Sequence, residues 1–312
     1  MSQKQIVPVF FAADENYMPY LAVALTSIKK YATPQIQYKI HVLCTGIEKE
    51  KAQPILDMQT PNMTVEFVNI SEKAAQIHSV MRCRDYYTSA IYFRLFIPDL
   101  FPQYDKAIYL DCDTVLLDDI AKLYEVNIGD NYIGAVADQA VAAVPEFREY
   151  TKNALDVDAE KYFNSGVIVL NLKQLRGIDF YNTFYGILSS YDFIVAPDQD
   201  CLNLICKGKV YFYGAEWNRM PIGGMDNATP KLIHYNLAMK PWHYDDVLFE
   251  EYFWNYAKQT KYYETILAEK AAFTPEMAQR DKEGGEKLIA LAKSEADSPN
   301  NYIRTMRKKQ AK

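Results

Sequence analysis

The chain has 312 residues, of which 49% are hydrophobic and 24% charged, and this balance excludes a disordered or collagen-like protein. Its length allows one large α/β domain or two smaller ones, with a core that needs no disulfide or metal for folding. The net charge of −6 argues against a general nucleic-acid binder, because contacts to phosphates need Lys and Arg.

The first seventy residues alternate between predicted strands and helices. Apolar patterning predicts strands at residues 6–12, 38–44 and 63–68, and helices at 18–31 and 48–58. Pro8 within the first strand favours an early or edge position in the sheet. The alternation itself favours a parallel sheet with helices on its faces. The first apolar run is too short to span a bilayer, and no signal peptide is evident.

Further strands follow in the middle of the chain, and several lead directly into polar residues. Residues 90–96 are predicted to be helical and to stop before Pro98. A short buried strand at 107–110 ends at an Asp-Cys-Asp sequence, a strand at 132–137 leads into Asp138, and one at 166–170 leads into Asn171. No domain break is expected before about residue 245.

The C-terminal part differs in composition. Residues 245–268 are rich in aromatic residues and are predicted to form an amphipathic helix packed on the body. Beyond about residue 270 the sequence becomes polar, with a basic end that contains Arg304, Arg307, Lys308, Lys309 and Lys312. This end is interpreted as a solvated tail or as a contact to the anionic inner membrane surface. We therefore divide the chain into residues 1–245, the main domain, and 246–312, a helical and polar extension.

Cysteine usage points to a reducing compartment. The five cysteines are odd in number and form no C-x-x-C pair, so neither a zinc ribbon nor a disulfide framework is expected. A cytoplasmic location, peripheral at the membrane if the basic end binds lipid, fits best. These cysteines are Cys44, Cys83, Cys112, Cys201 and Cys206.

Asp111 and Asp113 are the sharpest local signal for chemistry. They stand two residues apart directly after a buried strand, so alternation puts both carboxylates on one side, at the end where ligands bind. Two hard oxygen donors suit Mg²⁺ or Mn²⁺. The alternative interpretation is a solvated turn.

His234 and Lys240 are a second candidate pair. His234 ends a short apolar run, and Lys240 follows six residues later in the sequence His-Tyr-Asn-Leu-Ala-Met-Lys-Pro-Trp. A divalent metal together with one Lys is a sensible way to hold a diphosphate in an acidic protein. A structural histidine is the alternative.

Six ordered segments within residues 6–245 resemble glycosyltransferase family 8, the retaining GT-A group that includes bacterial lipooligosaccharide galactosyltransferases and glycogenin. The resemblance implies a Rossmann-like, mixed but mostly parallel sheet flanked by helices, followed here by a C-terminal helical extension. The matching segments are Phe11 to Tyr17, Tyr92 to Leu95, Asp111 to Asp113, Tyr162 to Val167, Pro197 to Asp200 and His234 to Trp242.

The resemblance assigns roles residue by residue. It implies that Asp14, Asn16 and Tyr17 hold the uracil and ribose of a UDP-sugar, with Ala12 and Cys112 also at the donor. It implies that Asp111, Asp113 and His234 ligate Mn²⁺, or Mg²⁺ in its place, and that Lys240 meets the diphosphate. Arg94, Asn164, Asp198 and Gln199 would surround the donor sugar, and Asp138 would lie towards the acceptor. Gln199 and Asp198 are the catalytic candidates, without a choice between them.

Two positions depart from the family pattern, and several residues have simpler explanations. Leu237 stands where the family commonly has Gly, which puts backbone contacts to phosphate in doubt there, and Ser165 stands where Ala also occurs. The simpler explanations are a helix cap for Asp14, a structural salt bridge for Arg94, helix caps for Asp198 and Asp200, and core positions for Trp242 and Tyr244.

The leading prediction is a retaining hexosyltransferase that moves glucose or galactose from a UDP-sugar to a glycan or glycolipid of the cell surface. One alternative is a sugar nucleotidyltransferase or sugar-nucleotide hydrolase, which would use the same carboxylates. Another is a sugar-nucleotide binder that has lost catalysis, for which Leu237 is the supporting feature. The acceptor pocket is expected around residues 138–158 and 214–229. No sequence feature specifies an oligomeric state.

Overall fold

A seven-stranded sheet forms the centre of the molecule, with the strand order β3-β2-β1-β4-β7-β6-β8. The computed structural model describes residues 4–79, 89–224 and 228–311. β7 runs antiparallel to β4 and β6, and the other neighbours are parallel, so the predicted mixed, mostly parallel sheet is confirmed. The strands are β1 (Gln5–Ala12), β2 (Ile36–Cys44), β3 (Met63–Asn69), β4 (Ala107–Leu110), β5 (Thr114–Leu116), β6 (Ile133–Ala137), β7 (Phe163–Leu170), β8 (Val210–Phe212) and β9 (Leu232–His234).

Helices cover both faces of this sheet and form the whole C-terminal region. The α-helices are α1 (Met18–Tyr31), α2 (Lys49–Leu56), α3 (Ser71–Ile77), α4 (Ile97–Leu100), α5 (Ile120–Glu125), α6 (Gln139–Ala143), α7 (Pro145–Leu155), α8 (Leu172–Gly177), α9 (Phe180–Ser190), α10 (Pro197–Ile205), α11 (Glu250–Ala257), α12 (Tyr263–Ala272), α13 (Pro275–Asp297) and α14 (Tyr302–Gln310). Four 3₁₀ helices are Glu15–Tyr17, Ser89–Phe96, Ala159–Lys161 and Ala215–Trp217. Cys83, Lys312 and part of the predicted acceptor segment 214–229 lie outside the described residues.

The core is divided by the sheet into two apolar clusters. Val7, Val9 and Phe11 of β1 pack in one cluster, and Phe10 packs in the other. This alternation follows from the two-residue period of a strand, and helices on both faces keep both clusters dry. The pattern over residues 6–69 therefore predicted the elements correctly, and the helix at 18–31 has the predicted bounds.

The predicted edge position for Pro8 is wrong. β1 has β2 on one side and β4 on the other. The register with β4 begins only at Val9, however, so Pro8 lies where the strand has a single neighbour. Proline has no N–H to donate, but no neighbouring strand lies beside Pro8 on the β4 side, so no hydrogen bond between strands is lost there.

The prediction that the helix at 90–96 stops before Pro98 is also wrong. The 3₁₀ helix Ser89–Phe96 continues directly into α4, whose second residue is Pro98. Proline is tolerated there because the first N–H groups of a helix have no acceptor within it.

The C-terminal region is more ordered than predicted. The single aromatic helix expected at 245–268 is two helices, α11 and α12. The polar residues beyond 270 form α13, which buries Ala292 and Ala296, and α14, which carries the basic end and buries none of its residues. Thr274 caps α13 through the N–H of Met277, and proline opens the helix. None of the described helices is long and apolar enough to cross a membrane.

Candidate active site

The candidate site lies at the end of β4, where β7 begins beside it. Asp111 follows β4 directly, and its N–H donates to the carbonyl of Gly166 in β7 at 2.7 Å. Because β7 is antiparallel to β4, its first residues reach the same edge of the sheet at which β4 ends. The hydroxyl of Thr114 donates to the carbonyl of Asp111 at 2.8 Å and closes the turn that carries both aspartates.

The small second sheet brings His234 to these aspartates. β9 pairs antiparallel with β5, and His234 lies opposite Thr114. His234 Nε2 is 3.2 Å from Asp113 Oδ1 and 3.8 Å from Asp111 Oδ2. One ligand atom from each of the three residues falls within 4.8 Å of the others, so the structure brings the predicted metal ligands together.

The hydrogen bonds of this cluster fit a bound cation. Nδ1 of His234 donates to Asn218 Oδ1 at 3.0 Å, so Nε2 keeps its lone pair. Oδ1 of Asp113 is buried, is an acceptor only, and has no hydrogen-bond donor. With His234 neutral, these two lone-pair atoms face each other at 3.2 Å, and a positive charge between them, either a metal ion or a proton on Nε2, makes this arrangement favourable. Asn218 was not predicted, because no local pattern marks it.

Gly166 leaves the space that such a site requires. A Cβ atom at this position would lie 2.3 Å from Cε1 of His234 and 2.4 Å from Oδ2 of Asp111. No side chain fits without displacing one of the two ligands, so this glycine permits the close approach of β7 to the cluster. The residues present therefore suit a divalent metal held by two carboxylates and one imidazole.

Lys240 is a buried cation of the site. Its ammonium donates to Asp113 Oδ2 and to the carbonyl of Tyr235, and it lies 5.6 Å from the ring centre of Trp242. Burial alone would raise the pKa of Asp113, but the Lys240 ammonium beside it holds that pKa well below its usual range. Lys240 thus neutralises one carboxylate of the cluster in this structure.

The C-terminal extension holds the loop that carries Lys240. The ammonium of Lys270 in α12 donates to the carbonyls of Pro241 at 2.9 Å and Tyr244 at 2.8 Å. The ring of Tyr20 stacks on Trp242 with centroids 3.9 Å apart, and its hydroxyl donates to Glu269 of α12. Trp242 is buried, in agreement with the core interpretation for this residue.

Arg94 links three parts of the site. Its buried guanidinium donates to Asp111 Oδ1 at 2.9 Å and to the hydroxyl of Ser165 at 3.1 Å, and it lies 3.6 Å from Asp198 Oδ2. It also stacks over the ring of Tyr109 at 4.3 Å. The salt-bridge interpretation of Arg94 is therefore confirmed, and its partners are themselves predicted site residues.

An amide network joins Gln199, Asn164 and Asp138. Gln199 Oε1 accepts the N–H of Ser165 at 2.9 Å, and its Nε2 donates to Asp138 Oδ2 at 3.1 Å. The same oxygen of Asp138 accepts Asn164 Nδ2 at 3.0 Å. Asp138 also caps α6 through the N–H of Val141. These bonds fix the Gln199 amide in one orientation at the cavity wall.

Asp198 and Asp200 lie in the first turn of α10 in different surroundings. Burial raises the pKa of Asp198, although Arg94 and the hydroxyl of Ser165 favour its charged form. Asp200 is fully buried, and burial raises its pKa to about 7. Tyr150 and Tyr162 each donate to it at 2.7 Å. The helix-cap interpretation is wrong for both residues, because the N-cap of α10 is Ala196, which has no side-chain cap. Asp200 instead accepts the N–H of Ala196 from inside the helix at 3.1 Å.

The predicted nucleotide segment forms a turn beside the cluster. Asp14 caps the 3₁₀ helix Glu15–Tyr17 by accepting the N–H groups of Asn16 at 2.9 Å and Tyr17 at 3.3 Å, which confirms the capping interpretation. The thiol of Cys112 is buried and donates to the carbonyl of Ala12 at 3.4 Å.

Almost all of the predicted site residues line one cavity of about 210 Å³. Of the predicted site residues only Asn16, which is exposed, does not line it. Val141, Phe147 and Leu288 give one side of the cavity an apolar wall, and Leu288 belongs to α13. None of the described residues within 214–229 lines it, whereas several from the other predicted acceptor segment do. The predicted residues that line it are Ala12, Asp14, Tyr17, Arg94, Asp111, Cys112, Asp113, Asp138, Asn164, Asp198, Gln199, His234 and Lys240.

Comparison with known families agrees with this geometry. The profile of the family described as glycosyl transferase family 8 matches residues 8–246. The chain belongs to glycosyl transferase family 8. The matched range includes every predicted site residue from Ala12 to Lys240, and it leaves α11 to α14 outside.

Several family members are similar over most of this chain. The lipopolysaccharide 1,2-glucosyltransferase of Escherichia coli K12 is 27% identical over 286 residues, which are 86% of this chain and 79% of that protein. A Haemophilus influenzae protein described as a glycosyltransferase is 28% identical and aligns with 70% of this chain. The chain spans 64% of the length of that relative.

Two solved structures share the GT-A fold. The galactosyltransferase LgtC, in complex with donor and acceptor sugar analogues, superposes with a TM-score of 0.70 at 28% identity and covers 82% of this chain and 96% of its own. The bifunctional glycosyltransferase WbbM gives a TM-score of 0.74 at 26% identity over 87% of this chain. The chain spans 53% of the WbbM chain.

Leu237 has a backbone conformation that is unusual for a leucine. Its φ angle is +57°, in the left-handed region that glycine adopts freely and that costs a leucine about 1–2 kcal/mol. The side chain lines the cavity and is 46% exposed.

Proposed function

We propose that this protein is a metal-dependent, retaining hexosyltransferase that uses a UDP-sugar as donor and a glycan or glycolipid as acceptor. The single observation that carries the proposal is the unpartnered, buried Oδ1 of Asp113, which faces the lone pair of His234 Nε2 at 3.2 Å. Gly166 leaves the adjoining space open. A divalent cation satisfies all of these features together.

The reaction breaks the bond between the anomeric carbon of the sugar and the diphosphate. Asp111, Asp113 and His234 would hold Mn²⁺ or Mg²⁺, whose charge stabilises the diphosphate as it leaves. Lys240 already lies against Asp113, within the same cavity, and supplies a second positive charge for the phosphates. Asp14 and Tyr17 face that cavity from the β1 end, where we propose that the uridine binds.

Gln199 and Asp198 are our candidates beside the anomeric centre. Asp198 is engaged by Arg94 and Ser165, whereas the Gln199 amide is held between Ser165 and Asp138. We propose that Gln199 positions the donor sugar while the leaving phosphate takes the proton of the attacking hydroxyl. This front-side route retains the anomeric configuration without a covalent intermediate. Retaining glycosidases, by contrast, use paired carboxylates and form a covalent glycosyl-enzyme.

The acceptor side of the cavity has an apolar wall. Val141 and Phe147 come from α6 and α7, and Leu288 comes from α13. The relatives include a lipopolysaccharide glucosyltransferase and a galactosyltransferase, which supports glucose or galactose as the sugar and a cell-surface saccharide as the acceptor. We propose residues 1–245 as the catalytic domain and 246–312 as an extension that completes the acceptor wall. The exposed lysines of α14 suit a cytoplasmic protein that contacts the inner membrane surface.

Thermal unfolding with nucleotides tests the donor site. UDP with Mn²⁺, at about a hundred times the dissociation constant, should add roughly 2.7 kcal/mol of stability and raise the midpoint by a few degrees. GDP and ADP serve as controls. Asp113→Asn should abolish the shift that requires both ligands, and the matched variant Asp118→Asn, at a carboxylate paired with Lys122 outside the cavity, should keep it. A UDP shift that needs no metal and survives Asp113→Asn would contradict the proposal.

Product analysis tests the reaction itself. Incubation with UDP-glucose or UDP-galactose and a saccharide acceptor should release UDP and give a glycoside with the donor's anomeric configuration. Release of pyrophosphate from a nucleoside triphosphate and a sugar phosphate would indicate a nucleotidyltransferase instead. Metal-dependent UDP binding without turnover on any acceptor would favour a disabled binder, with Leu237 as the first position to revert.

A further inference from the structure

Asn218 is fully buried, and its side chain touches both the metal-ligand cluster, at His234, and the amide network, at Asn164. We infer that Asn218 is a positioning residue, which fixes the tautomer of His234 and couples it to the amides that hold Gln199. The inference rests on the proposed metal-dependent function. It adds a residue that does not line the cavity.

The contact to His234 determines which nitrogen can bind a metal. Asn218 Oδ1 lies 3.0 Å from His234 Nδ1, and an amide oxygen only accepts. Nδ1 therefore carries the proton, and Nε2 presents its lone pair towards Asp111 and Asp113. Partners of this kind orient a ligating histidine and strengthen its binding of the metal.

The orientation of the Asn218 amide is fixed in turn by donors and acceptors that cannot exchange roles. Asn218 Nδ2 donates to Asn164 Oδ1 at 3.0 Å, and that oxygen also accepts the N–H of Gly166 at 3.0 Å. Asn164 Nδ2 donates to the carboxylate of Asp138 at 3.0 Å. A backbone N–H only donates and an ionised carboxylate only accepts, so neither amide can turn over without losing bonds.

The backbone of Asn218 is held as firmly as its side chain. Its carbonyl accepts Gln139 Nε2 at 2.8 Å, and its N–H donates to the carbonyl of Ala215 at 3.1 Å. The next residue bridges to β9, because the carbonyl of Arg219 accepts the N–H of His234 at 2.9 Å. Asn218 is therefore tied to the same strand as the histidine that it orients.

Two substitutions separate the two contacts. Asn218→Ala removes both and should weaken Mn²⁺ binding by about 10–100-fold, the usual effect of losing such a partner. Asn218→Asp keeps an acceptor for His234 Nδ1 but sets a carboxylate oxygen against Asn164 Oδ1. It should bind Mn²⁺ within about threefold of the unaltered chain, while kcat falls by about tenfold or more through the disturbed amides.

Asn301→Ala is the matched control. Asn301 is equally buried, and it caps α14 through the N–H of Arg304 and bonds to the carbonyl of Asn153, so its loss destabilises the fold far from the cluster. It should leave the Mn²⁺ affinity unchanged. A general loss of stability would therefore be distinguished from a loss of ligand orientation.

The readout is titration of each full-length variant with Mn²⁺, with and without UDP, followed by the electron paramagnetic resonance signal of the free ion. An unaltered chain that binds no Mn²⁺ under either condition would overturn the proposed function itself. If the unaltered chain binds and Asn218→Ala binds equally well, the inference is overturned alone. If Asn218→Ala does not fold, Asn218→Asp decides. Retained Mn²⁺ affinity with reduced kcat supports the inference. An equal loss of affinity and kcat, or no loss of either, overturns it.

Discussion

His234 and Thr114 lie opposite each other in the sheet of β5 and β9, although about 120 positions separate them in the chain. The next residue, Tyr235, donates its N–H to the carbonyl of Asp113 at 2.9 Å and continues the contact. A slip of one residue in this pairing would turn the imidazole to the other face of the strand. The register of a three-residue strand therefore sets whether the cluster can form.

Gly166→Ala should eliminate metal-dependent UDP binding. The new Cβ would overlap His234 and Asp111 at 2.3 and 2.4 Å, so one ligand must move away, at a cost of about 1–3 kcal/mol in unfolding free energy. We expect the thermal shift with UDP and Mn²⁺ to disappear at ligand concentrations that saturate the unaltered chain.

Gly186→Ala is the matched control for that substitution. Gly186 lies inside α9 with open space around the position of a Cβ, so alanine should stabilise the helix by about 0.5–1 kcal/mol and leave UDP binding intact. Normal Mn²⁺-dependent UDP binding by Gly166→Ala would show that the site does not need a glycine for the close approach of β7 to His234 and Asp111.

Gln199→Ala should reduce turnover more than donor binding. The amide contacts Ser165, Asn164 and Asp138 but none of the metal-ligand candidates, so UDP and Mn²⁺ should still bind. We expect kcat to fall by about tenfold or more, with the UDP dissociation constant within about threefold. Steady-state kinetics and calorimetry measure the two quantities, and unchanged turnover would rule out an essential role.

Leu237→Gly should stabilise the protein relative to Leu237→Ala. Both variants lose the leucine side chain, but only glycine relieves the left-handed φ of +57°. The left-handed backbone strains the alanine variant by about 1–2 kcal/mol, whereas the glycine variant has more conformational entropy to lose on folding. The net difference in unfolding free energy should be about 0.5–1 kcal/mol in favour of glycine. Chemical denaturation compares the pair. Greater stability of the alanine variant would show that the loop adopts another conformation in solution.

Asp200 should make stability depend on pH between about 4 and 7. Burial raises its folded pKa to about 7, from 3.8 in the unfolded chain. The folded protein therefore keeps a proton that the unfolded chain has lost, so this contribution is complete below pH 4 and is lost as the pH rises through 7. Relative to Asp200→Asn, the unaltered chain should lose on the order of 2 kcal/mol between pH 5 and 7.

Denaturant titrations at several pH values measure this difference. If the free energy of unfolding varies with pH in the same way for the unaltered chain and Asp200→Asn, the Asp200 carboxyl is already ionised in the folded protein at pH 5. Tyr150→Phe provides a second check, because it removes a hydroxyl that donates to Asp200 and favours the charged form. The pH at which the loss of stability ends should therefore rise in that variant.

Local patterning was sufficient for the first seventy residues and for Asp111 and Asp113. Strands and helices there have the expected periods, and two carboxylates after a buried strand are visible in a single stretch of sequence. His234 was a candidate from its own segment, with a structural histidine as the alternative, whereas Gln199 needed the family resemblance because no local pattern marks it. Their placement in one cavity agrees with the prediction, and their roles remain predictions.

Contacts set only by tertiary packing could not be predicted. Asn218 follows a 3₁₀ turn and has no motif around it, yet a bridge to β9 places it beside His234. Lys270 and Leu288 lie in a region of polar and aromatic composition that gives no sign of reaching the site. The predictions for Pro8 and Pro98 were wrong for a similar reason. Whether the missing N–H of a proline breaks a hydrogen bond depends on the strands and turns around it.

The distance along the chain between Asp113 and His234 also has a consequence during synthesis. About 120 residues must be added after the two aspartates before the histidine and Lys240 exist, which takes roughly 6–24 s at 5–20 residues per second. Until then a ribosome-bound chain holds two carboxylates with neither their imidazole nor their ammonium. A nascent chain should therefore acquire the donor site in one late step, and nucleotide and metal can stabilise only chains whose second half has already emerged.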